Sequence, residues 1–128
     1  MTLVTDYLDK TAAKFPDKVA FANEKSVMTF GTLRKEARHI AVGLIEKNIF
    51  RRPVVIYLEK SPECVAAFMG VAYSGNFYTP LDTDMPKARI EKILATLQPE
   101  IIITDEEHYD LAKAFAGTIP VAVYEKFQ

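Results

Sequence analysis

Two unbroken apolar runs constrain this chain more than anything else in it: Pro53-Val54-Val55-Ile56-Tyr57-Leu58 and Ile101-Ile102-Ile103. A strand with one face in water alternates apolar and polar residues. A run without alternation suits a strand covered on both faces, as in a parallel sheet. Each run leads into an acidic helix start, Glu59-Lys60-Ser61-Pro62-Glu63 after the first and Thr104-Asp105-Glu106-Glu107 after the second. Ser61 is a good N-cap, Pro62 fits the first helical position, and Glu63 complements the helix dipole.

The other segments extend this alternation. Tyr7, Leu8, Ala12 and Phe15 give an apolar face at helical spacing, with Thr5 or Asp6 as cap and Pro16 as terminator. Val19–Ala22 and Val27–Phe30 read as short strands around the polar turn Asn23-Glu24-Lys25-Ser26, hence a hairpin. Thr29 or Thr32 caps a long helix with the stripe Leu33, Ala37, Ile40, Ala41, Leu44 and Ile45. Arg34, Lys35, Glu36, Arg38, Glu46 and Lys47 form its solvated side. Val65, Phe68, Met69 and Ala72 carry the next helix until Gly75 ends it, and Tyr78–Leu81 is extended. Pro86 opens a helix with the stripe Ile90, Ile93, Leu94 and Leu97, closed by Pro99. Tyr109, Leu111, Ala112 and Phe115 mark a last helix, Gly117 breaks it, and Val121–Tyr124 is a final strand. The expectation is an α/β fold with a mainly parallel sheet, helices on both faces and an opening β-hairpin. A length of 128 residues fits one domain, 1–128.

Several functions are disfavoured by the residues themselves. Sixteen basic and 17 acidic residues leave a net charge of −1, which argues against a nucleic-acid partner and a polybasic membrane anchor. No apolar run approaches the ~20 residues that cross a bilayer, and the start Met1-Thr2-Leu3-Val4-Thr5-Asp6 shows no signal peptide. The single Cys64 reads as a buried apolar residue and fits a cytoplasmic setting. Gly70 and Gly75 have the spacing of a phosphate loop, but Asn76-Phe77 stands where its lysine and hydroxyl residue belong. His39 and His108 are far apart, each expected within a helix, and Asp105-Glu106-Glu107-His108 reads as a helix start rather than a metal site. Asp82 and Asp84 read as turn and cap residues before Pro86 rather than an acid–base pair. Cys64 has no histidine partner in sequence and no G-x-S-x-G occurs. No catalytic, cofactor-binding or metal-ligating residue is therefore assigned.

The segment Ala72-Tyr73-Ser74-Gly75-Asn76-Phe77-Tyr78-Thr79-Pro80-Leu81-Asp82 resembles a motif of the adenylate-forming, AMP-binding ligases. The family form runs leucine-lysine-alanine-glycine-x-alanine-tyrosine-x-proline-leucine-aspartate. Gly75, Tyr78, Pro80, Leu81 and Asp82 match it, while Tyr73, Ser74 and Phe77 depart. Phe15-Pro16-Asp17-Lys18-Val19-Ala20, Met28-Thr29-Phe30-Gly31-Thr32-Leu33, Leu58–Glu63 and Pro86-Lys87-Ala88-Arg89-Ile90 match other family segments in order. Thr29 is the family's helix cap, and Thr32 stands where a glutamate would complete a capping box.

The ending Pro80-Leu81-Asp82 is closer to the amino-acid-activating branches, peptide-synthetase adenylation domains and D-alanine–carrier protein ligases, than to acyl-CoA synthetases. The resemblance implies a parent enzyme that uses ATP and Mg to form an acyl-adenylate, then loads a carrier protein or CoA. The family's phosphate loop, ribose-binding aspartate and catalytic lysine come after the matched region. The chain is accordingly expected to be an N-terminal fragment that is inactive alone. Thr29, Gly75, Tyr78, Pro80 and Asp82 would act as structural motif residues, with the rest of the ligase as partner and self-association of exposed apolar surface. The alternatives are a free-standing α/β interaction module derived from such a ligase, an acyl-CoA synthetase fragment, and a flavodoxin-like or receiver-type domain.

Overall fold

A computed structural model describes residues 4–23 and 27–127. The elements are α1 (Val4–Lys14), β1 (Val19–Ala22), β2 (Val27–Thr29), α2 (Phe30–Glu46), β3 (Pro53–Tyr57), α3 (Pro62–Tyr73), β4 (Phe77–Pro80), α4 (Lys87–Leu97), β5 (Ile101–Thr104), α5 (Tyr109–Ala116), β6 (Val121–Val123) and a 3₁₀ turn, Tyr124–Lys126. β1 and β2 form the expected antiparallel hairpin, with an irregularity between Val19 and Phe21. Its turn residues 24–26, like the first three residues, lie outside those described. The other four strands form a separate parallel sheet in the order β4-β3-β5-β6.

The two apolar runs occupy the two central strands. Val54–Tyr57 and Ile101–Thr104 are buried along their lengths, because each strand has helices over both faces. Over one face pack α1, α2 and α3, around Leu8, Leu33, Ile40, Leu44, Ala67 and Val71. Over the other pack α4 and α5, around Ile90, Leu94, Ala112 and Phe115. This distribution follows from right-handed crossovers. The chain moves one way from β3 to β4, then back past β3 to β5 and on to β6. The first crossover helix therefore covers one face and the next two the other.

The caps explain the helix boundaries. Ser61 Oγ accepts from the Cys64 N–H at 3.1 Å, with Pro62 opening α3. Thr29 Oγ1 accepts from the Thr32 N–H at 3.2 Å, so Thr29 rather than Thr32 caps α2. The Thr32 hydroxyl lies 3.1 Å from that of Thr29 instead of reaching back to the cap's own N–H, as a glutamate would.

Other local expectations are corrected. Helix α1 is under way at Val4, so Thr5 and Asp6 lie inside its described span rather than at a cap position before it. Tyr7 and Phe15 are exposed while Leu8 and Ala12 are buried; the buried stripe of α1 is narrower than its apolar spacing suggests. Ile45 and Leu111 are likewise exposed. On α3 the buried positions are Pro62, Cys64, Ala66, Ala67, Gly70 and Val71, whereas Val65, Phe68, Met69 and Ala72 are half-buried. Arg34 does not simply face solvent: it pairs with Asp9 of α1 at 2.8 Å, with Arg38 at 3.5 Å from the same carboxylate. The acidic run after β5 is not a helix start. Asp105–His108 form a turn, His108 is the N-cap residue, and α5 begins only at Tyr109. His108 thus stands at a helix boundary and not within a helix. Helix α4 ends at Gln98 in the left-handed conformation, φ 50°, just before Pro99.

Candidate functional site

In open parallel sheets, ligands bind outside the carboxyl ends of the strands, where neighbouring strands send their connections in opposite directions. Here that point lies between β3, which connects towards β4, and β5, which connects towards β6. Three segments meet this edge: Leu58–Ser61 after β3, Leu81–Pro86 after β4 and Asp105–His108 after β5.

The motif segment approaches the edge from α3. Gly75 has φ +79° and closes α3 in a Schellman arrangement, its N–H bonding to Ala72 O at 3.0 Å and that of Asn76 to Val71 O at 3.1 Å. These are bonds at a helix carboxyl end, where carbonyl groups carry the negative end of the dipole. The turn therefore offers no N–H cradle for phosphate, despite its loop-like spacing to Gly70. Tyr78 is partly exposed and stacks on Phe68, ring centroids 4.8 Å apart and 18° from parallel. Pro80 lacks an N–H, which β4 tolerates because it pairs on one side only, with β3. Leu81 is buried, its N–H bonding to Ile56 O at 3.0 Å. Asp82 is exposed and contributes its backbone carbonyl to the turn, accepting from the Met85 N–H at 3.1 Å. Thr29, by contrast, sits at the hairpin–α2 junction, outside these three edge segments.

The edge is electronegative. Glu59, Asp82, Asp84, Glu106 and Glu107 are exposed on its loops. The N-terminus of α3, which could hold an anion, is already occupied by Ser61 and Glu63 and lacks one N–H at Pro62. These carboxylates and the capped start of α3 disfavour a phosphate group beside the β3 loop, and no step through ATP is built on them. His108 is held firmly: Asp105 Oδ1 accepts from its N–H at 2.8 Å and lies 2.7 Å from Nδ1. Its ring meets Tyr57 edge to face, centroids 5.9 Å apart. A separate cavity of about 730 Å³ lies beside β6, lined by His39, Gly43, Lys47, Tyr109, Val121 and Phe127 among others.

Two polar clusters escaped the sequence. Asn76, buried, donates to Ile49 O at 2.9 Å and Ser74 Oγ at 2.8 Å, and accepts from the Arg52 N–H at 2.9 Å. It ties the motif turn to the chain entering β3. The Tyr73 hydroxyl donates to Asp9 Oδ1 at 2.7 Å. That bond, with Arg34 and Arg38 beside it, holds the Asp9 carboxyl below its ordinary range against the opposing effect of burial. Burial, and then the bond to Asp9, push the Tyr73 phenol up to about 12. Only the local adjacency of Gly75 and Asn76 hinted at the first cluster; nothing in spacing hinted at the second.

Cys64 is buried, as expected, and burial pushes its thiol up to about 11 from 9.0. Its thiolate population at neutral pH is then about a hundredfold below that of an ordinary cysteine. A disulfide reagent should leave the native protein unmodified over minutes and titrate one thiol after denaturation. Rapid native labelling would contradict the buried, inert position.

These features belong together in one known fold. The chain is a member of the AMP-binding enzyme family, whose model matches residues 8–126. It is 33% identical over 121 residues to tyrocidine synthase 1 of Brevibacillus parabrevis, a match covering 94% of this chain and 11% of that protein. It is 29% identical over 108 residues to a D-alanine–D-alanyl carrier protein ligase of Listeria welshimeri, covering 83% of this chain and 21% of the ligase. The crystal structure of the nonribosomal peptide synthetase FmoA3 with α-methyl-L-serine-AMP superposes with a TM-score of 0.88 at 25% identity, over 98% of this chain and 14% of that one. The chain thus spans a small part of its relatives' length. Among the described residues no helix is long and apolar enough to cross a membrane.

Proposed function

We propose that this chain is the N-terminal subdomain of an ATP-dependent ligase that activates an amino acid as its adenylate and passes it to a carrier thiol. Its own task is scaffolding. The observation carrying this is the motif turn: Gly75 and Asn76 fix β4 against β3 through backbone and amide bonds, with no group placed to act on a substrate. Phe77 and Tyr78, exposed at 63% and 48%, supply an apolar surface for the rest of the ligase. The two relatives described above favour an amino acid as the acid activated and a carrier protein as acceptor.

The purified protein is expected to show no amino-acid-dependent exchange of pyrophosphate into ATP above background, with Mg present. Clear exchange would overturn the scaffold role. The gene should continue in frame past Gln128 into a loop rich in Ser, Thr, Gly and Lys. A stop codon there would instead favour a free-standing module.

A further inference from the structure

We propose that Glu59, Glu107 and His108 form a binding site for a divalent transition-metal ion, Zn²⁺ by preference, at the junction of the β3 and β5 loops. One ligand atom from each lies within 4.8 Å of the others. The histidine side chain is 9% exposed, its Nδ1 is held 2.7 Å from Asp105 Oδ1, and its Nε2 faces Glu59 Oε1 at 3.8 Å. That last distance is too long for a hydrogen bond, so Nε2 faces the Glu59 carboxylate without a close partner. A carboxylate bonded to one ring nitrogen is the arrangement that fixes the tautomer and aims the other nitrogen at a metal. Asp105 does this here, and its second bond, to the His108 N–H, keeps the ring from swinging away.

The chemistry of the donors selects the ion. An imidazole nitrogen with two carboxylate oxygens suits Zn²⁺, whereas Mg²⁺ prefers oxygen donors throughout. Bonds of about 2.0–2.2 Å would bring the ligand atoms to roughly 3.3 Å apart. Rotation of the exposed Glu59 and Glu107 side chains supplies that movement, while the buried histidine stays fixed. Water completes the coordination on the open side. The sequence conceals the site because Glu59 follows β3 and His108 follows β5; only the pairing of those strands joins them. The site is independent of adenylate chemistry, so its success or failure leaves the proposed ligase role untouched.

The test is calorimetric titration of the purified protein with ZnCl₂, alongside the visible absorption of bound Co²⁺. One saturable ion per chain is expected, unaffected by Mg²⁺ in tenfold excess. Glu59→Gln combined with Glu107→Gln, both exposed and so harmless to folding, should weaken binding by about tenfold or more, and Asp105→Asn by about 10–100-fold. His108→Ala should abolish the Co²⁺ spectrum, with circular dichroism confirming that the fold persists. Absence of saturable binding would overturn the site. So would binding that the double glutamine variant leaves unchanged, since the ion would then lie elsewhere.

Discussion

Replacing Gly70 by valine is expected to leave the protein largely unfolded, and replacing it by alanine to lower its stability by about 2 kcal/mol. Gly70 lies in α3 where that helix crosses α2. A Cβ built there would stand 2.6 Å from Ile40 Cβ and 2.8 Å from the Ala37 carbonyl oxygen. The second contact is with backbone and cannot be relieved by a rotamer change. Alanine would regain about 1 kcal/mol of helix propensity, yet the two helices would have to separate, loosening Ala37, Ile40, Ala67 and Val71 together. Valine adds two methyl groups to the same gap, against a total stability of about 5–15 kcal/mol for a domain of this kind. Thermal unfolding should show the alanine variant melting roughly 5–10 °C below the parent. A comparison separates crowding from backbone strain. Gly75 has φ +79° and open space around its Cβ position, so Gly75→Ala should cost only about 1 kcal/mol. Equal stability of the Gly70→Ala variant and the parent would refute the close crossing.

Asn76→Ala is expected to cost about 2–4 kcal/mol, the second largest effect of a single side chain here. The amide makes three bonds at once, to Ile49 O, Ser74 Oγ and the Arg52 N–H. Alanine would leave Ile49 O and the Arg52 N–H without this partner beside a void, while Ser74 Oγ keeps its bond to Val71 O. Each unsatisfied buried group costs about 1–3 kcal/mol, and relaxation or a water can recover part of it. Urea unfolding should show a lower midpoint with an unchanged slope, because the same surface is exposed on unfolding. A midpoint within error of the parent would mean that the turn holds its position by backbone bonds alone.

What could be read from the sequence depended on how local the physics was. Val54–Tyr57 and Ile101–Ile103 announced the two central strands, since burial on both faces removes polar residues from every position. Ser61-Pro62 and Gly75 announced the limits of α3, because capping acts within a few residues. Where competing local bonds existed, the expectation slipped. Asp105 makes the i+3 bond usual for a cap, to the His108 N–H, yet the residues after it form a turn and α5 starts only at Tyr109. Gln98 adopts a left-handed conformation for which glycine is the usual sign. Tyr7, Phe15 and Leu111 look like core residues by spacing, yet they lie exposed. Contacts between distant segments, such as Tyr73 with Asp9 or Asn76 with Ile49, leave no trace in a single sequence. The candidate site was legible only as far as the family motif. Its geometry, an edge crowded with carboxylates, required the strand order.

That strand order also sets a timetable for synthesis. β3 is the first strand of the parallel sheet to leave the ribosome, and like β5 it must be flanked on both sides. Its second neighbour, β5, follows only after both α3 and α4 have been made. At a translation rate of about 5–20 residues per second, the Val54–Tyr57 ribbon waits for several seconds with one edge uncovered. A nascent chain paused in this interval would be a natural client for chaperones that recognise short aliphatic stretches.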